Sequence, residues 1–177
     1  MIIINIIFLD IDGVLNTSHF GMKDYKNKYG GYLIIDPEKL KILKRICDLT
    51  NSSIVLSTGW KSILDDDLKP LDINGKFLLE MFNEYDIPLV GKTRTIKKDL
   101  SDGRVLPFYK EYEIIDYLSN HPEILHFCII DDKEEELESL LDYLIKTKDY
   151  QDNENEEGIR MEYLDDINKV LKKEIVR

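Results

Sequence analysis

The 177-residue chain has a net charge of −11 at pH 7, from 35 acidic and 24 basic residues. This balance disfavours broad binding to phosphate backbones or anionic membranes, so we expect no stable nucleic-acid complex and no membrane partner. The length suits one domain with a substantial core, and we predict a single domain over residues 1–177. Cys47 and Cys128 lie beside apolar residues, which indicates two buried free thiols in a reducing compartment.

The first element is an apolar run at residues 2–9, interrupted only by Asn5. A run without polar alternation predicts a buried central strand of a parallel sheet. It lacks the basic leader and the small-residue cleavage site of a signal peptide, and no stretch has the length of a membrane span. We therefore expect a soluble, cytoplasmic protein.

Two carboxylates follow this strand directly, at Asp10 and Asp12, and Gly13 comes next. In open α/β sheets the ligand crevice lies beyond the carboxyl ends of the strands, so we expect both acids there. A plain surface turn is the alternative, since Asp and Gly are common turn residues. Residues 13–35 are rich in glycine and aromatic residues. They predict an irregular or hairpin segment over the strand edge, which we call the flap.

The segments that follow alternate between helix and strand. Asp36 and Pro37 predict a helix start, and an apolar stripe follows at Leu40, Leu43, Ile46, Cys47 and Leu49. Further helices are predicted at residues 75–85, 111–120 and 134–141, and at the C terminus through Leu164, Ile167, Val170 and Leu171. Further strands are predicted at residues 53–58, 87–90, 125–130 and 143–146. This order predicts a doubly wound α/β fold, with a mainly parallel sheet and helices on both faces.

The remaining segments read as loops, a polar one at residues 91–109 and an acidic one at residues 149–157. In the helix predicted at residues 111–120, the side chains expected to point inward are Ile114, Ile115 and Leu118.

Three of the predicted buried strands end in polar residues that can carry chemistry. One ends at Asp10 and Asp12, another at Ser57-Thr58 followed by Gly59, and the third at Asp131-Asp132. In a parallel sheet these ends converge on one crevice. Carboxylates packed within ~4 to 6 Å raise one another's pKa unless a cation neutralises them. Mg²⁺, a hard ion that prefers oxygen ligands, suits that role.

Such a site can process phosphate esters. With Mg²⁺ bound, one carboxylate can attack phosphorus, while a second protonates the leaving oxygen and later activates water. A hydroxyl and a cation must still hold the phosphoryl oxygens. Ser57 or Thr58 can supply the hydroxyl, and a lysine or arginine must supply the cation.

Residues 7–15 resemble the first motif of the haloacid dehalogenase (HAD) superfamily of phosphohydrolases, a hydrophobic strand followed by Asp-x-Asp-Gly-x-Leu. Residues 54–58 and 127–132 resemble the family's second and fourth motifs, in the same order. The resemblance implies a HAD-like Rossmannoid fold with Asp10 as the nucleophile that forms an aspartyl-phosphate. It also implies that Asp12 is the general acid and base.

The same resemblance implies that Mg²⁺ is held by the Asp10 side chain, the Asp12 backbone carbonyl, and Asp131 or Asp132. Which acid of that last pair binds directly stays open, as does the choice between the two hydroxyls. The family's third motif is a lysine or arginine near a helix start. Lys110 fits best, with competitors at Arg94, Lys97, Lys98 and Arg104.

A closer resemblance is to a HAD subgroup in which Asn16, Trp60-Lys61 and Gly158 have counterparts. Some members of that subgroup occur in multidomain proteins thought to repair RNA ends, so a nucleic-acid end becomes a candidate substrate. For Trp60 itself, packing is favoured over base stacking.

We therefore expect a Mg²⁺-dependent phosphatase with an aspartyl-phosphate intermediate and little or no cap domain, because the core needs most of the residues between the motifs. Its partner would be a phosphorylated substrate, either a small molecule such as a nucleotide or a nucleic-acid end. One alternative is phosphotransfer to an acceptor other than water through the same intermediate. Another is a noncatalytic binding module that keeps the HAD fold.

Overall fold

The computed structural model describes residues 4–21, 26–99, 101–106, 109–148 and 156–173. In chain order, the strands and α-helices there are β1 (Ile4–Leu9), α1 (Ser18–Gly21), α2 (Pro37–Thr50), β2 (Ser52–Leu56), α3 (Ile73–Glu84), β3 (Leu89–Lys92), β4 (Lys98–Asp99), β5 (Val105–Leu106), α4 (Lys110–Asn120), β6 (Ile124–Asp131), β7 (Leu144–Lys146) and α5 (Leu164–Val170). Single 3₁₀ turns lie at Gly59–Ile63, Leu141–Tyr143 and Met161–Tyr163.

Five of the strands form one parallel sheet in the order β3-β2-β1-β6-β7. The chain builds outward from β1 through β2 to β3, and then returns to the other side of β1 to add β6 and β7. The strand order therefore reverses beside β1, and in open α/β sheets ligands bind at such a reversal. The predicted doubly wound α/β fold is confirmed.

The central strand β1 is buried on both faces, which accounts for its uninterrupted apolar sequence. Ile7 and Leu9 belong to a core that also contains residues of α2, α3 and α5. Ile6 and Phe8 belong to a second core on the opposite face, together with Ile114 of α4. Covering helices on both faces are what such a strand requires.

Helix α2 begins as predicted and differs at its end. Asp36 accepts a hydrogen bond from the backbone N–H of Glu38 at 2.9 Å, and Pro37 is the first helical residue. Leu49 is 56% exposed, so its place in the predicted stripe is wrong. Thr50 is buried instead, and its hydroxyl donates to the Ile46 carbonyl at 2.7 Å.

Helix α4 buries two acids that the apolar pattern did not indicate. Ile114 is fully buried, but Ile115 is 41% exposed, which contradicts its predicted inward position. Glu111 and Glu113 are buried in α4. Glu111 accepts a hydrogen bond from the backbone N–H of Ser139 at 2.7 Å. Polar partners, which hydrophobic periodicity does not reveal, therefore set the rotation of this helix.

The helix predicted at residues 134–141 is wrong, because this segment forms a series of turns before the 3₁₀ turn at Leu141–Tyr143. The Glu136 carbonyl accepts from the backbone N–H of Glu111 at 3.0 Å, and the Ser139 N–H is taken by the Glu111 carboxylate. These tertiary hydrogen bonds occupy groups that a helix would have paired internally.

The segment predicted as a polar loop, residues 91–109, contains the end of β3 and the antiparallel hairpin β4–β5. In the described part of the chain, this hairpin is all that is added to sheet and helices between β3 and α4, in line with the predicted small or absent cap. The described flap residues are irregular apart from α1. Most of the predicted acidic loop lies outside the described residues.

Cys47 and Cys128 are free and buried, as predicted. Among the helices that the structure describes, none has the length and apolar character to cross a membrane.

Candidate active site

The strands β2, β1 and β6 are neighbours at the centre of the sheet, and the residues at their carboxyl ends surround one cavity of about 650 Å³. Of the predicted site residues, those that line it are Asp10, Asp12, Thr58, Gly59, Lys110 and Asp131. Ser57 and Asp132 do not line the cavity, although each adjoins a residue that does. The convergence expected from a parallel sheet is therefore present.

Asp10 is more buried than Asp12, with only 8% of its surface exposed. Its backbone N–H donates to the Ile130 carbonyl at 2.9 Å, which ties the end of β1 to β6. Burial raises the pKa of Asp10 to about 6, while Lys110 and a hydrogen bond with the Thr58 side chain act in the opposite direction. A carboxylate held this way is poorly solvated and close to a cation, which suits a nucleophile.

Lys110 stands in the first turn of α4 and extends into the acidic cluster. Its ammonium pairs with Asp131 and lies 3.7 Å from the Oδ2 of Asp10. Burial lowers the pKa of Lys110, but the charges of Asp10 and Asp131 outweigh this effect and the net pKa is raised. The ammonium therefore stays protonated.

Three of the four competing cations, Arg94, Arg104 and Lys97, do not reach this position. Arg94 pairs with Asp116, and Arg104 pairs with Asp102. Lys97 does not line the cavity, and the side chain of Lys98 lies outside the described part of the chain. The geometry favours Lys110.

A group of three acids fits a divalent cation. Asp10, Asp131 and Asp132 each offer one oxygen, and these atoms all lie within 4.8 Å of one another. Burial raises the pKa of both Asp131 and Asp132. The buried Oδ1 of Asp132 has no hydrogen-bond partner among the described residues. Mutually repelling carboxylates with an orphaned buried oxygen are stabilised when a cation binds between them.

Gly13 allows Asp132 to come this close to β1. Its φ is +72°, and a Cβ atom at this position would lie 2.5 Å from the Cγ of Asp132. A side chain at position 13 would therefore be strained by the backbone and would clash with the acid.

The two hydroxyls after β2 differ in their surroundings. Ser57 is 1% exposed, and its Oγ has no hydrogen-bond partner among the described residues. Thr58 lines the cavity, and its side chain lies close enough to Asp10 to lower the pKa of that acid. Gly59 also lines the cavity, and no atom of the part of the chain that the structure describes lies within 4 Å of where its Cβ would stand. Thr58 is thus the hydroxyl that a ligand in the cavity can contact.

Asp12 is exposed and lines the cavity, and both of its oxygens are held from outside. Oδ1 accepts from the Asn16 amide at 2.9 Å, and Oδ2 accepts from the Trp60 indole N–H at 2.9 Å. Trp60 also packs against the main core, as predicted. Sequence reasoning missed both hydrogen bonds, although the subgroup pattern had singled out Asn16 and Trp60.

Lys61 is a buried cavity residue to which sequence reasoning gave no structural role. It forms an ion pair with Glu113 and lies 3.2 Å from the Thr93 hydroxyl. Burial lowers the pKa of Lys61, against the effect of Glu113. Glu113 also accepts from the backbone N–H of Ile96 at 3.2 Å. This pair ties the turn after β2 to α4 and to the chain that leads into the β4–β5 hairpin.

Gly158 is the remaining residue of the subgroup pattern, and the structure shows why a glycine stands there. Its φ is +76°, and a Cβ atom there would lie 2.6 Å from the Val14 carbonyl. The next residue, Ile159, donates its backbone N–H to that carbonyl at 3.0 Å. The C-terminal segment therefore supports the loop that carries Asp12. None of the described flap residues lines the cavity, whose lining also includes Thr95, Lys133, Glu135, Glu136 and Leu137.

Comparison with known proteins gives one family. A family model described as "HAD domain in Swiss Army Knife RNA repair proteins" matches residues 6–152. This range includes all the predicted catalytic, substrate-binding and metal-binding residues. No curated protein and no solved structure matches the chain.

Proposed function

The chain belongs to the family of HAD domains found in Swiss Army Knife RNA repair proteins, and we propose that it is a Mg²⁺-dependent phosphomonoesterase that works through an aspartyl-phosphate. The family supports a HAD-type phosphohydrolase in general. The metal, the intermediate and the substrate are our proposals. The observation that carries them is the meeting of Asp10, Lys110 and Thr58 in one cavity.

In the first step, an Asp10 oxygen attacks phosphorus and the bond between phosphorus and the leaving oxygen breaks. Asp12 gives its proton to that oxygen. In the second step, Asp12 takes a proton from a water molecule that attacks phosphorus. The bond from phosphorus to Asp10 then breaks, which releases phosphate and restores both acids.

The phosphoryl oxygens need positive charge and hydrogen-bond donors as charge shifts in the transition state. The Lys110 ammonium and the Thr58 hydroxyl are in a position to supply them. Mg²⁺, held by the side chains of Asp10 and of Asp131 or Asp132 and by the Asp12 carbonyl, would screen the repulsion between Asp10 and the phosphate.

The candidate substrates are nucleotides and phosphorylated nucleic-acid ends. Within the described residues, no cap larger than a short hairpin is added beside the cavity, which supports access for a bulky substrate. The family description, which refers to RNA repair proteins, supports a nucleic-acid end. The net charge of −11 opposes stable binding along the phosphate backbone of a nucleic acid. We therefore propose brief recognition of a terminal phosphate.

The test is phosphate release from a panel of nucleotides, 3′- and 5′-phosphorylated oligonucleotides, phosphopeptides and sugar phosphates, with Mg²⁺ or with EDTA. We expect Mg²⁺-dependent release that is highest on nucleotides or oligonucleotide ends, and no release by Asp10→Asn. A panel that stays inactive would favour the noncatalytic binding module. Transfer of labelled phosphoryl to an acceptor without phosphate release would favour the phosphotransferase.

A further inference from the structure

Asp12 is held by two donors that belong to different parts of the chain. The Asn16 amide donates to one oxygen and the Trp60 indole N–H to the other, each at 2.9 Å. We propose that Trp60 and Asn16 are positioning residues that fix the Asp12 carboxylate for proton transfer. This inference rests on the proposed role of Asp12 as general acid and base.

Both donors act from outside the cavity. Asp12 lines the cavity, but neither Trp60 nor Asn16 does. The carboxylate therefore faces the cavity, while its two donors are not among the residues that line it. Any effect of these donors on the reaction passes through Asp12, which separates a positioning residue from a catalytic one.

Asn16 is preorganised by the backbone around it. Its N–H donates to the Ile11 carbonyl at 2.9 Å, and its carbonyl accepts from the Gly13 N–H at 3.0 Å. Asp12 and Asn16 also form a β-bridge. The turn that Gly13 permits thus brings the Asn16 amide back onto the carboxylate.

Trp60 is preorganised by the turn after β2. Its backbone N–H donates to the Thr58 hydroxyl oxygen at 3.4 Å, and its ring packs against the main core. The side chain of the neighbouring Thr58 lies beside Asp10. The turn that follows β2 is therefore next to both of the acids that follow β1.

The chemistry requires this restraint because Asp12 is exposed. An exposed aspartate that lacks partners samples several side-chain rotamers. Hydrogen bonds to both oxygens fix both side-chain torsions, and bonds to a charged group are stronger than neutral ones. Proton transfer needs the acid within hydrogen-bond reach of the leaving oxygen and of the attacking water. Loss of either donor therefore slows the steps that Asp12 serves.

The contact itself can be tested without any activity, because Trp60 is the sole tryptophan of the chain. It gives a single indole N–H resonance in a ¹⁵N-correlated NMR spectrum. We expect Asp12→Ala to shift that resonance and to speed its exchange with solvent. The control is Asp48→Asn, an exposed change on α2, which should leave the resonance unmoved. An indole resonance that does not respond to Asp12→Ala would overturn the inference.

The role is tested by kinetics on an aryl phosphate, whose good leaving group needs no proton. Trp60→Phe keeps the ring packing and removes only the donor. We expect single-turnover release of the aryl alcohol to change by less than about twofold in Trp60→Phe. We expect kcat to fall about 10- to 100-fold, because release of phosphate from Asp10 needs Asp12 to activate water. Asn16→Ala should behave in the same way.

The outcomes separate this inference from the proposed function. Equal losses in single-turnover release and in kcat would mean a disrupted site and would overturn the positioning role, as would an unchanged kcat. If the wild-type protein releases no phosphate from any substrate, the proposed function fails and the positioning role fails with it. If the wild type is active and Trp60→Phe is equally active, only the positioning role is refuted.

Discussion

The Lys110 ammonium lies 3.7 Å from the Asp10 carboxylate, although one residue begins α4 and the other follows β1. It also pairs with Asp131 at the end of β6. A single cation is therefore shared between the proposed nucleophile and a proposed metal ligand. This relationship makes α4, on one face of the sheet, part of the site.

Lys110→Met should lower kcat/KM by roughly 10²- to 10³-fold, because it removes a charge that would stabilise the phosphoryl oxygens. It should also raise the pKa of Asp10 further, since Lys110 is what lowers it most. The control is Lys97→Met, because Lys97 is an exposed competitor outside the cavity. The measurement is steady-state phosphate release. Comparable losses in both variants would contradict the assignment of Lys110.

Asp10→Asn should stabilise the metal-free protein at neutral pH. The pKa of Asp10 is raised from 3.8 to about 6, so between these values the folded state binds more protons than the unfolded state. The free energy of unfolding of the wild type therefore falls as pH rises through this window, and the whole of this destabilisation is present above about pH 6. Asp10→Asn should be more stable than the wild type by roughly 2 to 3 kcal/mol at pH 7.5, and this difference should vanish near pH 4.

Urea unfolding in EDTA at several pH values measures this difference. Asp48→Asn serves as the matched control, because it removes an exposed carboxylate on α2 and should show little pH-dependent gain. If Asp10→Asn is no more stable than the wild type at pH 7.5, burial of the Asp10 carboxylate does not destabilise the folded protein as this prediction requires.

Asp132→Asn should weaken Mg²⁺ binding by at least tenfold, because it removes a charge from the three-acid group. Isothermal titration of Mg²⁺ into the protein measures the affinity directly. Asp102→Asn is the control, since Asp102 pairs with Arg104 away from the cavity. Unchanged affinity in Asp132→Asn would exclude this acid as a ligand and leave Asp131 as the acid of β6 that binds the metal.

The sequence predicted the parts of the site that depend on strand ends. A parallel sheet brings the carboxyl ends of its strands to one edge whatever the loops do, so the convergence of Asp10, Thr58 and Asp131 followed from the prediction that their strands are parallel. Trp60 and Asn16 escaped prediction as partners of Asp12 because hydrogen bonds between side chains have no periodicity in the sequence. Residues 134–141 were predicted as a helix because their composition allows one, and tertiary hydrogen bonds to Glu111 decide otherwise.

Gly158→Ala should destabilise the protein by about 2 to 4 kcal/mol, because the new Cβ atom combines a strained backbone with a clash against the Val14 carbonyl. The matched control is Gly103→Ala. Gly103 has a φ of +83°, and no atom of the described residues lies within 4 Å of the added Cβ, so this variant isolates the backbone cost. Thermal unfolding compares the two variants. Equal destabilisation would show that the contact with Val14 adds nothing.

The most direct test of the account is to find where the phosphoryl group is held during the reaction. Asp12→Asn retains Asp10 and lacks the base that activates water, so with a labelled aryl phosphate it should accumulate a phosphoryl-enzyme. Acid quenching, proteolysis and mass spectrometry then locate the label. We predict that the label is on Asp10, in the peptide that contains the end of β1. If the wild-type protein turns over the substrate but Asp12→Asn carries no label on Asp10, or carries the label on another residue, the account is contradicted.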